Sequence, residues 1–303
     1  VEVIRTGTQS GTDHLACDLL AILLGRREAG AAAPQPAAGR GPLEPVEIQA
    51  KGAPVVATSA QAGLEARAAR LGYDIGTGRI VLDGDEPVSL VIRTTNMEAK
   101  KIDYSPGPAG SPGSLMAVGP GRLAARPDQG RPARAAWQQW LRMRPDGAGH
   151  VVSLAGAADV TIEGQGRLAA SELHLWLDVV ASAAPPQAAA DGPDLSRFRP
   201  ARLLARGMVE ADAEQVEART DRLELWFKEA AATPAPAQAA VAAGPTVVPP
   251  RQEPVQAPPG RRTGRLTASA TLVRGLVVMG PAGNQFEEMS MEGQVRLVDR
   301  SAA

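Results

Sequence analysis

The chain contains a single cysteine, Cys17, among its 303 residues. One cysteine cannot form an intrachain disulfide, so the sequence does not encode a disulfide-stabilised scaffold, and cysteine pairing cannot indicate a redox compartment. Because Cys17 stands in an apolar run, a small buried hydrophobe is favoured over a reactive thiol.

Histidine is also scarce, and neither sign of charge is in excess. The 3 histidines are His14, His150 and His174, and none of them stands at metal-ligand spacing with another histidine or with Cys17. The 32 basic side chains are balanced by 33 acidic ones, which indicates neither a nucleic-acid partner nor electrostatic attachment to a membrane. We therefore expect no metal, no cofactor and no nucleic-acid partner.

Long apolar runs are missing as well. The longest, Leu19–Leu24, has the length of a strand and is far shorter than the roughly 20 residues of a transmembrane helix. Aromatic residues make up 3 %, and the 32 glycines and 26 prolines follow no collagen-like period. Much of the apolar content is alanine in linker-like stretches, so we expect a thin core. Because the chain starts at Val1 without a methionine, we also expect a processed or trimmed product.

No catalytic motif stands out. Gly76-Thr77-Gly78 and Gly119-Pro120-Gly121 are predicted turns that open no helix, which argues against a phosphate-binding loop. Asp83-Gly84-Asp85 with Glu86 lacks the further ligands of a calcium loop and is predicted to form a hairpin tip. No spacing of serine, histidine and aspartate points to a catalytic triad. We expect a protein that is not an enzyme.

The sequence does contain an internal repeat. Val151–Val180 is followed by a similar stretch, Ala201–Lys228. Each has a small or apolar run, a glycine (Gly156 or Gly207), a polar turn and a closing Leu-x-Leu-Trp-Leu/Phe. Internal similarity at this period indicates a repeat architecture.

The closing runs of the two repeats predict strands. In Ser171–Leu177 and Asp221–Phe227, leucine or phenylalanine alternates with charged residues, histidine and tryptophan. A period of two places the apolar set on one face of a strand and the other set on the opposite face. The run upstream of Leu173 is out of phase with it, which predicts a bulge or a strand break at Ser171–Glu172.

Two tryptophans take equivalent positions in the repeats. Trp176 and Trp226 lie on the predicted face opposite the leucines, and His174 shares that face. One interpretation, which we favour, is packing on the outer face beneath a linker or a neighbouring strand. The other is a rim that contacts a subunit or a lipid.

The same pattern extends over most of the chain, which we interpret as one repeat domain, 1–303. Leu64–Tyr73 is rich in helix formers, but its place in the repeat predicts a strand, and His14–Leu24 and Trp137–Arg144 are each predicted as one strand. Strand-bearing segments are predicted at 1–26, 46–125, 136–182, 199–229 and 264–299. Linkers or disordered loops rich in alanine and proline, which cannot offset their ordering entropy by burial, are predicted at 27–45, 183–198 and 230–263.

These repeats resemble the OstA-like family of lipopolysaccharide-transport proteins (LptA, LptC and the N-terminal domain of LptD). The resemblance is carried by Leu154–Val160 with Gly166–Leu173, and by Ala205–Val209 with Glu217–Leu225. Weaker similarities occur at Leu71–Asp74 with Ile80–Gly84, at Ala99–Tyr104 and at Met291–Val295. The chain departs from the family in its long Ala/Pro insertions and in its length.

The resemblance implies an all-β fold, an elongated antiparallel β-jellyroll of OstA-like repeats that is open along one side. Its inner face would hold the acyl chains of a lipopolysaccharide-like amphiphile, and its edge strands would join other OstA-like proteins or a second copy. We expect a periplasmic or envelope-associated lipid carrier; a structural β-repeat scaffold or assembly protein without a lipid is the alternative. The candidates for the lipid trough are Val160, Ile162, Leu173, Leu175, Leu177, Val209, Leu223, Leu225 and Phe227.

Overall fold

The computed structural model describes residues 1–7, 11–26, 43–60, 63–107, 113–126, 131–179, 198–213, 216–230, 266–280 and 283–299. These residues contain no helix, and strands account for 85 % of them, so the predicted all-β fold is confirmed. In chain order the strands are β1 (Glu2–Gly7), β2 (Gly11–Ala16), β3 (Leu19–Arg26), β4 (Leu43–Ser59), β5 (Leu64–Asp74), β6 (Ile80–Ile92), β7 (Thr95–Ser105), β8 (Ser114–Val118), β9 (Gly121–Ala125), β10 (Ala133–Trp137), β11 (Trp140–Asp146), β12 (Gly149–Ile162), β13 (Gly166–Val179), β14 (Phe198–Ala213), β15 (Val216–Glu229), β16 (Leu266–Gly280), β17 (Gly283–Glu292) and β18 (Arg296–Asp299).

The long strands belong to two half-sheets at once within one 18-stranded sheet. One end of β4 pairs with β2 and the other with β3, and β12 pairs with β10 and β11 in the same way. We call the half-sheet that contains β1, β2, β9, β10 and β18 the Ala-rich half-sheet. The half-sheet that contains β3, β8, β11 and β17 is the Leu-rich half-sheet, and each long strand contributes one half of its length to each.

A line of bulges and strand breaks, which we call the crease, separates the half-sheets. Most register shifts along the long strands fall on it, for example between Ala155 and Ala158 in β12 and between Arg206 and Val209 in β14. A bulge adds an unpaired residue and bends its strand, which allows one strand to serve both half-sheets. The pairing of β13 with β14 shifts between Ala169 and Glu172, so the slip predicted at Ser171–Glu172 is confirmed.

The core lies between the two half-sheets. Leu82 of the Leu-rich half-sheet and Leu90 of the Ala-rich half-sheet are 0 % and 2 % exposed and belong to one apolar cluster. Near the C-terminal end, Ala218 and Ala268 of the Ala-rich half-sheet pack with Phe286 of the Leu-rich half-sheet. A strand face becomes dry only when a second layer covers it, so the inner faces of the half-sheets cover each other.

One strand pair departs from the antiparallel pattern. β12 to β15 pair antiparallel in succession, as predicted, but β15 and β16 run parallel, with Val216 opposite Leu266 and Glu229 opposite Met279. We call the end of each half-sheet that lies away from the crease its rim. Both strands therefore begin at the rim of the Ala-rich half-sheet and finish at the rim of the Leu-rich half-sheet. The chain leaves β15 at one rim and enters β16 at the other.

Several predicted boundaries are wrong because the crease interrupts short strands. His14–Leu24 is two strands, β2 and β3, and Trp137–Arg144 is divided between β10 and β11. At the second break, the backbone N–H of Gln138 donates to the carbonyl of Gly156 across the crease, at 2.6 Å. Asp83–Glu86 is no hairpin tip, because β6 continues through it and shifts register there.

Other boundaries differ by a few residues. β4 begins at Leu43 and β10 at Ala133, before the predicted starts at 46 and 136. Leu64–Tyr73 is a strand, as its place in the repeat predicted, and Cys17 is buried, 7 % exposed. The predicted linkers lie mostly outside the described residues.

Candidate functional site

The glycine that recurs in the repeat positions the crease. Gly156 has a φ of 77° and Gly207 a φ of 72°, and the next residue in each strand, Ala157 or Met208, is also left-handed. A Cβ on Gly156 would lie 2.8 Å from the backbone nitrogen of Gln139. Only glycine combines this φ with so close an approach. The repeated glycine is therefore the point at which the inner apolar face is divided between two half-sheets.

The inner face of the Leu-rich half-sheet consists of rows that run across the strands. We define the crease row as Leu154, Leu173, Ala205, Leu223 and Val273, which are successive cross-strand neighbours. All members of the crease row are buried, at most 4 % exposed. The crease row is thus a packed floor.

Burial decreases away from the crease on β13, β14 and β15, but not on β12 and β16, where His150 and Val277 near the rim are each 4 % exposed. The next row, the middle row, consists of Val152, Leu175, Leu203 and Leu225, and all of them are half-buried. Leu177 and Phe227, one step nearer the rim, are also half-buried. We call this part of the inner face, which is dry at the crease row and half-buried toward the rim on β13, β14 and β15, the trough.

The structure brings all of the trough candidates to the inner faces, but at two depths. Leu173, Val209 and Leu223 are 3 %, 1 % and 4 % exposed; Leu173 and Leu223 belong to the crease row, and Val209 packs in the same cluster as Leu223. The remaining candidates are half-buried: Val160, Ile162, Leu175, Leu177, Leu225 and Phe227. Of the nine, Val160, Ile162 and Val209 lie on the Ala-rich half-sheet.

The outer face of the Leu-rich half-sheet contains an aromatic and cationic row. Trp176, Arg202 and Trp226 are neighbours across β13, β14 and β15. The guanidinium carbon of Arg202 lies 5.1 Å from the ring centroid of Trp176 and 5.5 Å from that of Trp226. The indole N–H of Trp176 donates to Asp146 at 3.0 Å. Cation–π contact on both sides holds the arginine in place, and Trp226 is still 38 % exposed, so the described residues show the contact with Arg202 but no covering strand.

Glu224 shows that the outer face is also partly buried. It points away from the trough, yet it is 5 % exposed and accepts a hydrogen bond from Arg222 Nε at 2.8 Å. Arg274 Nε lies 3.7 Å from its other carboxylate oxygen. A buried carboxylate with two guanidinium partners is costly to remove, so Glu224 contributes to the packing of the outer face.

A serine, a histidine and a glutamate also meet on this face. Ser153 Oγ and His174 Nδ1 are 2.8 Å apart, and His174 Nε2 lies 3.1 Å from Glu172 Oε1. The pairing of β12 with β13 brings them together. An acyl-transfer site needs free donors for its oxyanion, and the backbone of β12 at Ser153 is paired with both β11 and β13. We therefore interpret the three side chains as a hydrogen-bonded contact that links β12 to β13.

His150 lies inside the trough and was not singled out by its sequence context. It stands at the rim end of β12, opposite Leu177, and is 4 % exposed. Its ring packs edge-on against Phe198 with centroids 5.3 Å apart, and its polar neighbour is the backbone of Gly113, which opposes the effect of burial on its pKa in part. Burial lowers the pKa of His150 below its usual value of 6.5.

Protonation of His150 is expected to destabilise the fold. Because the folded-state pKa lies below the unfolded one, the stability contribution is present above about pH 6.5 and is lost as the pH falls toward the folded pKa. Urea unfolding at pH 7.5 and pH 5.5 should give a lower free energy of unfolding at pH 5.5. His150→Leu should reduce that difference, and an unchanged difference would contradict the assignment.

The described residues contain neither a metal cluster nor a membrane-spanning helix. No three histidine, cysteine, aspartate or glutamate side chains among them come together to hold a metal ion. No helix long and apolar enough to cross a membrane occurs in that part of the chain.

Comparisons with known proteins add little to this geometry. No protein-family model matches the sequence, and no curated protein matches it. Among solved structures, the chain is similar to LptH from Pseudomonas aeruginosa, the LptA homologous periplasmic component of the conserved lipopolysaccharide transport device. The identity is 16 %, the match covers 41 % of this chain and 90 % of that chain, and the TM-score is 0.30. A similarity at this TM-score carries no argument about this chain.

Proposed function

We propose that this chain is a non-catalytic protein that binds the acyl chains of a lipopolysaccharide-like amphiphile between its half-sheets. The observation that supports this proposal is the gradient of burial from the crease to the rim on β13, β14 and β15. Leu223 in the floor is 4 % exposed, whereas Leu225 and Phe227 on the same strand are half-buried. An apolar wall that stays partly wet gains stability when an acyl chain covers it, at about 0.8 kcal/mol per buried methylene.

The free edges of the sheet fit the transport part of the proposal. β3 is an edge strand of the Leu-rich half-sheet, and its Leu19, Ile22 and Leu24 are 58 %, 51 % and 54 % exposed. At the other end of the sheet β18 is an edge strand, and its Leu297 is 52 % exposed. Exposed apolar edge strands are templates for strand addition, so we propose that other OstA-like proteins or a second copy join here. A periplasmic or envelope-associated location belongs to the same proposal.

A structural scaffold without a lipid is the second candidate. It is favoured by the packed floor and by the positions of two open grooves in the described part of the chain. One groove lies at the crease beside Met208 and Arg219, and the other lies beside Arg142 and Arg144. Neither is lined by the middle row. In a scaffold, the half-buried residues would remain in contact with water.

Site-specific photocrosslinking separates the two candidates. A benzoylphenylalanine in place of Phe227 should crosslink to added lipopolysaccharide, because this side chain lies on the partly open inner wall. The same photoreactive residue in place of Lys228 is the matched control. Lys228 follows Phe227 on the strand, so its side chain points to the outer face, where it is exposed. Equal labelling at both positions, or none at either, would remove the lipid-carrier proposal and leave the scaffold.

A further inference from the structure

A groove lies at the rim of the Leu-rich half-sheet, where β8 begins at Ser114 while the adjacent β11 continues to Asp146. Its volume is about 400 Å³. The polar side chains that line it are Arg79, Asp103, Ser105, Ser114, Arg142 and Arg144. Its position is separate from the trough candidates, none of which lines it.

The strand pairing explains why these side chains converge. Arg142 and Arg144 are two residues apart on β11 and therefore share its outer face. Met116 pairs with Arg142 on one side and with Asp103 on the other, which places the arginine and the aspartate in one cross-strand row. Ser105 and Ser114 form the last pair between β7 and β8. Two guanidinium groups and two hydroxyl groups thus meet at one rim.

The groove has an excess of positive charge. Arg79 is held by Asp103, with Nε 2.9 Å from one carboxylate oxygen and Nη2 2.5 Å from the other. These hydrogen bonds keep the pKa of Asp103 below its usual value of 3.8, so this pair is neutral as a unit. Arg144 lies 3.9 Å from Asp146, an exposed and weak pair. No carboxylate among the described residues pairs with Arg142.

Two arginines of the Ala-rich half-sheet, Arg122 and Arg167, differ from this arrangement. Arg122 Nε donates to Glu98 at 2.8 Å and Arg167 Nε to Asp159 at 2.9 Å, so each has a carboxylate neighbour on its own outer face. At the groove, the cross-strand neighbour of Arg142 on β8 is Met116, which is not acidic. The positive charge of Arg142 and Arg144 is therefore available to a ligand.

We propose that this groove binds a phosphate group, with the guanidinium groups of Arg142 and Arg144 and the hydroxyls of Ser105 and Ser114 as donors. Planar guanidinium groups match the geometry of phosphate oxygens, and hydroxyls donate to the remaining oxygens. The phosphate is either free or the headgroup of an amphiphile. The groove is also lined by Leu115 and Met143, which are both 8 % exposed and belong to the inner wall. A headgroup source rests on the proposed lipid function, whereas free phosphate does not.

Titration calorimetry of the whole chain with inorganic phosphate tests the site. The wild type should show saturable binding that weakens with added sodium chloride, because the contacts are ionic. The double variant Arg142→Gln, Arg144→Gln should lose at least tenfold in affinity. The control Arg126→Gln, Arg134→Gln removes the same charge from exposed positions on the Ala-rich half-sheet and should bind phosphate as the wild type does. Far-ultraviolet circular dichroism of all three proteins establishes that each is folded.

Two outcomes overturn the proposal: no saturable binding to the wild type, or equal binding by the wild type and the groove double variant. The second arm uses dihexanoyl phosphatidic acid below its critical micelle concentration. Tighter binding than that of inorganic phosphate, with the same loss in the double variant, assigns the site to a headgroup. Equal binding of the two probes assigns it to free phosphate. Because crosslinking at Phe227 is measured separately, failure of the trough and failure of the groove are distinguishable.

Discussion

Leu223→Asp is expected to lower the free energy of unfolding by several kcal/mol, on the order of 3–5. Leu223 is 4 % exposed in the crease row, next to Ala205 and Val273, and it packs in a cluster of apolar side chains. A carboxylate introduced there is desolvated without a partner, or it takes up a proton at a cost. Urea denaturation followed by tryptophan fluorescence measures the loss.

The same strand provides a graded series and a control. Leu225→Asp and Phe227→Asp introduce the same carboxylate at half-buried positions, so each should cost less than Leu223→Asp. Lys228→Asp places it on the exposed outer face and should change the free energy of unfolding by about 0.5 kcal/mol or less. Equal losses for Leu223→Asp and Phe227→Asp would show that the interior is closed over its whole depth and would contradict the trough.

Removal of residues 231–260 is expected to leave the fold intact. The parallel pair requires the chain to pass from the Leu-rich rim at Ala230 to the Ala-rich rim at Leu266. Packed half-sheets lie about 10 Å apart, and the five residues left between these ends reach roughly 17 Å when extended. The shortened variant should therefore retain its circular dichroism spectrum and a melting temperature within a few degrees of the wild type.

A second deletion sets the limit. Removal of 231–263 leaves two residues, which reach only about 7 Å, so β16 can no longer pair parallel with β15. This variant should lose the burial of Val273 and Val277, 2 % and 4 % exposed in the intact sheet, and melt at a lower temperature. If the deletion of 231–260 lowers the melting temperature as much as the deletion of 231–263, the distance between the two rims is greater than the roughly 10 Å between packed half-sheets. That result would favour a widely open trough.

The trough candidates show which property the alternation within one strand predicts and which it does not. The period of two in Asp221–Phe227 predicts that Leu223, Leu225 and Phe227 share a face, and they do. It carries no information on depth, because all three residues are equally apolar. Depth follows from the crease, since Leu223 lies beside it and Phe227 lies near the rim.

Glu224 and His150 show the complementary limit. Alternation predicts an exposed outer face for Glu224, but Arg222 and Arg274 cover it. His150 has no local motif, and its burial depends on Phe198, a residue distant in the chain. The groove at Arg142 and Arg144 is similar, because Asp103 reaches it only through the pairing of β7, β8 and β11.

The sequence by itself determined that the chain is all-β, where most long strands run, which residues share a face and that the strand at Ser171–Glu172 slips in register. These properties depend on alternation and on the change of its phase, and both act within a few residues. Only the tertiary structure decided that β15 and β16 are parallel, that the floor is packed while the rim is partly open, and that Arg142 and Arg144 meet the hydroxyls of Ser105 and Ser114 at one rim. These features depend on which strands become neighbours, and pairing joins residues far apart in the chain that carry no local signal of one another.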